Sequence, residues 1–417
     1  MDEPSAAQEQ PAATRPVVRV LGIRGIPARH GGFETFAERL AQHLRDRGWR
    51  PVVYCQSDAP TGRAWRDQWE GIERVHIPVG KHATWGPVIF DLRATLHAAR
   101  SGGICLTLGY NTALFTLLIR RAHLPNLINM DGIEWARGKW GAVAKAWFRL
   151  NERAGCRLAD SIIADHPQIA AHLETRGGRG KIAVIPYGAD AVEGAPTGPV
   201  EAFGLTPGRY ATVIARPEPE NSILEIVRAY SRCRRTFDLA LIGNYEAGHS
   251  YQRAVKAAAG PRVRFLGAVY EPATVRALRA HALLHVHGHQ VGGTNPSLVE
   301  ALGAGNAVFA HDNRFNRWVA GDAALYFQGE DDLARLFESV DRSTCDLGAL
   351  RAAARRRHRE SFPWPAVLGA YEELLRSFEH GIGREGVRGG SASAVDQCPH
   401  PDPLPRSGRG SSVARRL

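Results

Sequence analysis

Cysteine is scarce in this 417-residue sequence, and the cysteines are far apart along the chain. The six cysteines are Cys55, Cys105, Cys156, Cys233, Cys345 and Cys398. No two of them form a CxxC pair, which argues against a disulfide framework and against a zinc site. The pattern is typical of a protein from a reducing cytoplasm. The polar segment 1–16 has no apolar core, so we expect a disordered leader rather than a signal peptide.

The sequence also lacks an apolar run long enough to cross a membrane. The nearest candidate, residues 104–119, is too short, contains Gly109 and Asn111, and is followed by two arginines. A buried strand followed by a helix explains this segment better. We therefore predict a cytoplasmic protein with no membrane-spanning helix.

The charge is unbalanced toward positive, at +11. Such an excess favours anionic partners: nucleotides, lipid phosphates or nucleic acid. No recognisable nucleic-acid-binding motif accompanies the charge, so we expect no nucleic-acid partner.

The length of the chain favours two domains, and two α/β halves are visible. The first opens with the apolar run VVRVLGI, followed by a glycine loop, an amphipathic helix that ends at Gly48, and the strand PVVYC. Apolar runs of this kind are typical of parallel strands buried on both faces. Further strands are predicted at residues 104–108, 127–129, 161–164 and 182–185. The second half repeats the pattern with strands at 209–216, 239–243, 263–267, 281–287 and 307–311.

These patterns predict an α/β fold with two Rossmann-like domains facing a cleft. The predicted divisions are a leader (1–16), an N-terminal domain (17–190), a linker (191–208), a C-terminal domain (209–362), a helix crossing back (363–380) and a disordered tail (381–417). The tail is rich in Gly, Pro, Ser and Arg and has too little apolar surface to fold.

The first glycine loop argues against a dehydrogenase. Nicotinamide-binding units have GxGxxG after the first strand and an acidic residue at the end of the second. Here the glycines are Gly22, Gly25, Gly31 and Gly32, and the second strand ends in Cys55 and Gln56. Gly31 and Gly32 nevertheless place bare backbone at a helix N-terminus, which suits a phosphate. Glu34 follows these glycines and is a candidate binding residue. Alternatively, its carboxylate only interacts favourably with the helix dipole.

The segment HGHQVGGTNPSLVEALGAG, residues 287–305, is the most informative stretch of the chain. A Gly-rich turn leads into an apolar helix, so backbone N–H groups and the positive end of the helix dipole face the loop. Glu300 adds a carboxylate suited to sugar hydroxyls. Phosphate and polyol recognised together indicate a nucleotide sugar. An ordinary strand–loop–helix junction is the alternative interpretation.

Polar residues also follow several strands, where open α/β sheets bind their ligands. Tyr110 and Asn111 form one group, and Asp131 and Glu134 form another. Asp131 is a candidate general base, with capping of the next turn as the alternative. In the second half Arg216 is placed to hold a diphosphate, with a salt bridge to a nearby glutamate, Glu218 or Glu220, as the alternative.

Four histidines raise the question of a metal: His285, His287, His289 and His311. No carboxylate or cysteine completes a ligand set at the usual spacing, so we predict no metal. His289 is better explained as a phosphate or sugar contact.

Across residues 18–378 the sequence resembles GT-B glycosyltransferases of the large retaining family four. It is most similar to the subgroup of bacterial rhamnosyltransferases that make capsule, O-antigen and exopolysaccharide, with an N-terminal domain of the DUF1972 type. The motifs that carry the resemblance are RGIPARHGGFETF (24–36), DGIEWARGKWG (131–141), ARPEPEN (215–221), HGHQVGGTNPSLVEALGAGNAVFAHDN (287–313) and GDAALYF (321–327).

The resemblance implies a metal-independent, cofactor-free hexosyl transfer with retention. The donor is a nucleoside-diphosphate sugar, with dTDP-rhamnose as the first candidate, and the acceptor is a glycan or a polyprenyl-diphosphate-linked sugar. The implied catalytic residues are Asp131, Arg216 and Glu300. The implied acceptor-binding residues are Glu34, Tyr110, Asn111, Asp131 and Glu134. The implied donor-binding residues are Gly31, Gly32, Arg216, Asn221, His289, Gly292, Gly293, Thr294, Asn295, Pro296, Ser297 and Glu300.

Two positions depart from the wider family. Gly292 stands where the first of two glutamates normally contacts the donor sugar, and Asn221 stands where a lysine normally helps to hold the diphosphate. The diphosphate charge would then rest on Arg216, on the N–H groups of residues 292–295 and on His289. A nucleotide-sugar epimerase and a nucleotide-sugar-binding protein without catalysis are the alternative functions.

Residues 136–160 suggest contact with the inner membrane surface. Basic residues alternate there with Trp140, Trp147 and Phe148. A basic helix with aromatic anchors can lie on anionic lipid. A domain helix whose aromatic rings face the core is the alternative.

Overall fold

A computed structural model describes residues 15–28, 31–60, 62–80, 85–138, 140–246 and 248–379. The predicted tail 381–417 and nearly all of the predicted leader 1–16 lie outside these residues. Within them the chain folds as two α/β halves, each built on one mostly parallel sheet.

The N-terminal half is an eight-stranded sheet in the order β3-β4-β2-β1-β5-β6-β7-β8. Its central strands are mostly apolar because helices cover both faces of the sheet. Only the β3–β4 pair is antiparallel. The strands are β1 (Val17–Leu21), β2 (Arg50–Ser57), β3 (Trp65–Trp69), β4 (Ile72–Pro78), β5 (Ile104–Leu108), β6 (Asn126–Asn129), β7 (Ser161–Ala164) and β8 (Ile182–Val184). The helices are α1 (Gly32–Asp46), α2 (Gly86–Ser101), α3 (Leu117–Arg121), α4 (Ala142–Leu158) and α5 (Pro167–Leu173).

The C-terminal half follows a short helix, α6 (Gly198–Glu201), and has a parallel sheet in the order β11-β10-β9-β12-β13-β14. The strands are β9 (Tyr210–Ile214), β10 (Asp238–Ile242), β11 (Val263–Gly267), β12 (Leu284–His287), β13 (Val308–His311) and β14 (Ala324–Phe327). The helices are α7 (Ile223–Ser231), α8 (Ser250–Ala257), α9 (Pro272–Ala280), α10 (Pro296–Gly303), α11 (Arg314–Ala320), α12 (Glu330–Asp341) and α13 (Leu347–Ser361).

The last helix, α14 (Trp364–Arg376), packs into the core of the N-terminal half. The Ala189 backbone pairs with the backbone just before this helix. The two segments of chain that connect the halves therefore lie side by side. Trp364 stacks on Phe36 of α1, and the ring of Tyr371 packs against Phe36 at a tilt. The predicted fold class, α/β with two Rossmann-like domains facing a cleft, is confirmed.

Candidate functional site

The carboxyl ends of the two sheets face each other across a cleft of about 870 Å³. This volume lies within the range of about 300–1,000 Å³ that ligand sites usually have. Both halves contribute to the walls, so a ligand in the cleft would contact both. The predicted site residues that line it are Gly31, Gly32, Tyr110, Asn111, Asp131, Glu134, Arg216, Asn221, His289, Thr294, Asn295, Pro296, Ser297 and Glu300.

Tryptophan side chains and hydrogen bonds brace the loops on the N-terminal wall. The Tyr110 hydroxyl accepts a hydrogen bond of 2.7 Å from the Glu134 backbone N–H. The Glu134 carboxylate accepts one of 2.9 Å from Trp140 Nε1. The Asn111 carbonyl accepts one of 2.8 Å from Trp147 Nε1. These loops are therefore held in place before any ligand binds.

Asp131 lines the cleft and is open to solvent there. Desolvation, followed by the negative charge of Glu134, raises the pKa of Asp131 to about 6, while the positive charge of Arg137 opposes the shift. A carboxylate with a pKa in this range is suited to exchange protons near neutral pH. The role of Asp131 as a general base stays a prediction.

Glu34 does not line the cleft, contrary to the prediction that it binds the acceptor. Its side chain is buried, and its carboxylate faces the Arg24 backbone N–H at 3.4 Å. The reason is its position in the first turn of α1, where a carboxylate stabilises the preceding loop and the helix dipole.

Arg216 follows β9 on the C-terminal wall and is exposed to the cleft. The predicted alternative, a salt bridge to Glu218 or Glu220, does not form: Glu220 instead faces Arg137 of the opposite half at 3.6 Å. Within the described part of the chain the Arg216 guanidinium has no carboxylate partner. Its charge is therefore available to an anion in the cleft.

The loop before α10 offers fewer free N–H groups than we predicted. The Thr294 N–H donates to the Asp165 carboxylate at 2.8 Å, and the Ser297 N–H donates to the Asn295 side chain at 3.0 Å. Pro296 has no N–H and lies against Gly32 of the opposite half. These groups are already satisfied, so an anion would depend more strongly on Arg216.

Gly292 and Gly293 also lie outside the lining of the cleft, because other side chains stand against them. A Cβ at Gly292 would lie 3.0 Å from His289 Nε2, and one at Gly293 would lie 2.1 Å from Asp165 Oδ1. The close contact excludes a Cβ at Gly293 while Asp165 stays in place, and the φ of +142° favours glycine at Gly292. Glycine at these two positions leaves room for His289 and Asp165, and the predicted role of both residues in binding the donor stays a prediction.

Asn221 bridges Arg216 and His289. Its side-chain N–H donates to the Arg216 carbonyl at 2.8 Å, and its side-chain oxygen accepts from His289 Nδ1. Burial and then the positive charge of Arg137 lower the pKa of His289 to about 4, although the Val291 backbone favours the protonated ring. At neutral pH His289 is therefore an uncharged imidazole.

Glu300 lies at the base of the cleft and pairs with Arg279, whose Nη2 is 2.6 Å from the carboxylate. Arg279 is buried and also donates to the Ser297 carbonyl at 3.0 Å. Arg279 was not among the site residues predicted from the sequence. Its position in α9, outside every motif, left no signal except an arginine in a helix that packs near α10.

The described residues contain no group of three or more His, Cys, Asp or Glu side chains that could hold a metal ion. Burial lowers the pKa of both His285 and His287 well below the usual value, so these rings are neutral parts of the core. His285 bonds to the Thr212 hydroxyl at 3.1 Å.

The aromatic residues of the predicted membrane helix face inward. Trp140 packs on Phe148, with 5.1 Å between ring centroids, and Trp147 donates to the Asn111 loop. Phe148 is buried, and Trp140 and Trp147 are half-buried against the same core, which favours the alternative of a domain helix whose rings face the core. The part of the chain that the structure describes also contains no helix with the length and hydropathy needed to cross a membrane.

Two facing Rossmann-like halves, a cleft between them and a last helix that returns to the first half define the GT-B fold, the two-domain architecture of many glycosyltransferases. Residues 31–188 match the family model described as a glycosyl transferase 4-like domain. This part of the chain is therefore similar to such a domain. No curated protein matches the chain.

Solved structures with the same fold cover nearly all of the described chain. Sucrose-phosphate synthase from Thermosynechococcus elongatus aligns with a TM-score of 0.73 and 17% identity, covering 87% of this chain and 99% of the other. Anabaena HepE in complex with UDP and glucose gives 0.69 and 16%, covering 87% and 100%. An E. coli structure described as trehalose-6-phosphate bound with UDP-2-fluoro glucose gives 0.66 and 10%, covering 87% and 99%. At these identities the likeness shows the fold alone.

Proposed function

We propose that this chain is a retaining glycosyltransferase. It moves a hexosyl or deoxyhexosyl group, with rhamnosyl as the first candidate, from a nucleoside-diphosphate sugar to a growing surface glycan. The observation that carries the proposal is that two groups with different chemistry line opposite walls of one cleft. The Arg216 guanidinium, which has no carboxylate partner in the described residues, lies on the C-terminal wall, and the Asp131 carboxyl lies on the N-terminal wall. The glycosyl transferase 4-like domain at residues 31–188 supports it.

The donor would bind on the C-terminal wall. Arg216 supplies the positive charge for the diphosphate, and Glu300, held by Arg279, supplies an acceptor for hydroxyl groups of the nucleoside. Neighbours of the same fold were solved with UDP, glucose or a UDP-sugar, which supports a nucleotide sugar as the ligand class. dTDP-rhamnose stays the first candidate from the sequence resemblance.

The reaction follows from this placement. The acceptor oxygen bonds to the anomeric carbon on the face from which the nucleoside diphosphate leaves, while the bond from that carbon to the β-phosphate oxygen breaks. The acceptor proton passes to the departing phosphate oxygen. Arg216 stabilises the charge that develops there, a contribution of about 3–4 kcal/mol for a well-placed donor. Asp131 orients the acceptor hydroxyl. The proposed reaction uses no metal or cofactor.

The acceptor we propose is a glycan carried on a polyprenyl diphosphate, which places the enzyme on the cytoplasmic face of the inner membrane as a peripheral protein. The membrane face that we propose is the solvent side of α4. Val143 and Leu150 are 86% and 50% exposed there, and Arg153 and Arg157 continue the same stripe. Exposed apolar side chains beside arginines suit an anionic lipid surface.

The test is a binding and transfer assay with the full chain. Calorimetric titration with dTDP-, UDP- and GDP-sugars and with NAD should show binding of one nucleotide-sugar class, and slow release of nucleoside diphosphate should follow. Conversion of the donor to another sugar without hydrolysis would instead indicate an epimerase. Binding with neither transfer nor hydrolysis would indicate a binding protein, and binding of NAD alone would contradict the proposal.

A further inference from the structure

The two positions that depart from the wider family meet at one side chain. Asn221 bonds to His289 Nδ1, and His289 Nε2 lies 3.0 Å from where a Cβ at Gly292 would be. Gly292 also has a φ of +142°, a conformation that other residues rarely adopt. The departures at 221 and 292 are therefore parts of one arrangement around His289, and not two separate losses.

The hydrogen bonds of Asn221 define which nitrogen of His289 carries the hydrogen. Because the Asn221 N–H group donates to the Arg216 carbonyl at 2.8 Å, its oxygen faces the ring. An amide oxygen only accepts, so His289 Nδ1 must donate. A neutral imidazole with its hydrogen on Nδ1 has an acceptor lone pair on Nε2.

The backbone of His289 is held as firmly as its ring. Its carbonyl accepts hydrogen bonds from the side chains of Asn313 at 3.0 Å and Asn316 at 2.9 Å. Both asparagines lie at the start of α11, behind the cleft wall. The ring is thus fixed from two sides, and it lines the cleft beside Arg216.

We propose that His289 determines the specificity for the donor sugar, because its Nε2 accepts a hydrogen bond from a hydroxyl of the transferred sugar. This inference rests on the proposed function, since it places a nucleotide sugar in the cleft. An acceptor nitrogen suits a hydroxyl and repels phosphate oxygens. The role of His289 is therefore to select the sugar, while Arg216 holds the diphosphate.

The experiment compares two ligands on the full chain: a free nucleoside diphosphate, chosen from dTDP, UDP and GDP as the one that binds, and sugar nucleotides built on it. In His289→Ala we expect the affinity for the sugar nucleotide to fall about tenfold, the effect of losing one hydrogen bond of about 1.4 kcal/mol. We expect the affinity for the free nucleoside diphosphate to stay within about twofold.

Two further variants serve as a conservative replacement and as a control. His289→Gln retains a neutral acceptor on a side chain of similar reach, so part of the sugar-dependent affinity should return. His249→Ala, an exposed histidine before α8 and outside the cleft lining, should leave both affinities unchanged. Thermal melting of each variant checks that it is folded.

The possible outcomes separate the two proposals. If His289→Ala weakens the free nucleoside diphosphate as much as the sugar nucleotide, His289 contacts the diphosphate and the inference is wrong. If it weakens neither, His289 contacts no part of the donor and the inference is again wrong. If the unaltered chain binds no nucleotide and no sugar nucleotide, the proposed function itself fails, and this inference fails with it.

Discussion

The Asp165 carboxylate, at the end of β7, accepts a hydrogen bond of 2.8 Å from the Thr294 backbone N–H across the cleft. The Asp165 carbonyl also accepts from the Thr294 hydroxyl. Gly293 has no side chain, which leaves room for the Asp165 carboxylate against the loop. This pair joins the two halves at the loop that leads into α10, so we expect the closed cleft and the position of that loop to depend on each other.

Replacing Asp165 should open the cleft. Asp165→Leu removes the acceptor of the Thr294 N–H and leaves that buried N–H unsatisfied in the closed state, a cost of about 1–3 kcal/mol. Asp165→Asn keeps an acceptor oxygen and should stay closed. Small-angle X-ray scattering of the full chain at neutral pH should give a larger radius of gyration for the leucine variant alone. Identical scattering from all three proteins would show that the pair does not control closure.

The activity should depend on the protonation of Asp131. Its pKa is raised to about 6, so below that pH the carboxyl is mostly protonated, and its neutral oxygen holds the acceptor hydroxyl less strongly than the carboxylate does. We expect kcat/KM to rise as the pH increases through about 6 and then to level off. Asp131→Asn should be slow at every pH and should lack this rise. A profile that keeps the rise in the asparagine variant would assign it to another group.

The same shift predicts an effect on stability. Because the folded state holds the Asp131 proton more tightly than the unfolded chain does, Asp131 favours folding below its ordinary pKa of 3.8, and this contribution disappears as the pH rises through about 6. Asp131→Asn removes the penalty of the charged form. The variant should therefore melt at a higher temperature than the unaltered chain at pH 7, and thermal melts at pH 4 and pH 7 measure the difference.

Loss of Arg216 should reduce turnover without affecting the fold. We expect Arg216→Ala to lower kcat by about 10²–10³-fold, because a guanidinium aimed at a leaving diphosphate acts mainly in the transition state. Its exposure means that melting should hardly change. Arg276→Ala, at an exposed position on α9 outside the cleft lining, is the matched control. Near-normal turnover in Arg216→Ala would remove this residue from the mechanism.

The solvent face of α4 should bind anionic membranes. Val143→Asp with Leu150→Asp replaces the two most exposed apolar side chains of this face by charges that lipid phosphates repel. Sedimentation with vesicles that contain phosphatidylglycerol should show binding by the unaltered chain and little by this variant. Arg276→Ser with Arg359→Ser makes the same change in net charge on exposed positions of the other half. Equal sedimentation of all three proteins would contradict the membrane face.

Most of the fold could be predicted from the sequence because buried parallel strands are distinctive. The predicted strands at residues 104–108, 161–164 and 263–267 have the observed bounds. The hairpin β3–β4 was missed, since an edge hairpin alternates polar and apolar residues and has no long apolar run. The turn Glu70–Gly71, with positive φ at both residues, was the available signal.

Site residues could be predicted where a single sequence segment contains them. Contacts between two distant segments could not be predicted. Arg216 and Asp131 follow strands, and strand ends face the cleft. Asp165 also follows a strand, but its partner Thr294 is 129 positions away. The contact of His289 with Gly292 was not foreseen either, because spacing along a loop does not give the direction of a ring. Contacts between distant segments depend on tertiary packing, which sequence patterns do not encode.

The return of α14 to the first half affects the order in which the protein can be completed during synthesis. Phe36 and the face of α1 around it emerge from the ribosome more than 300 residues before the rings of Trp364 and Tyr371 that cover them. The apolar face of the N-terminal half thus stays exposed until the whole C-terminal half has been synthesised. A fragment that ends before residue 364 lacks α14 and therefore leaves the apolar face of α1 uncovered. Such a fragment should be more prone to aggregation than the full chain.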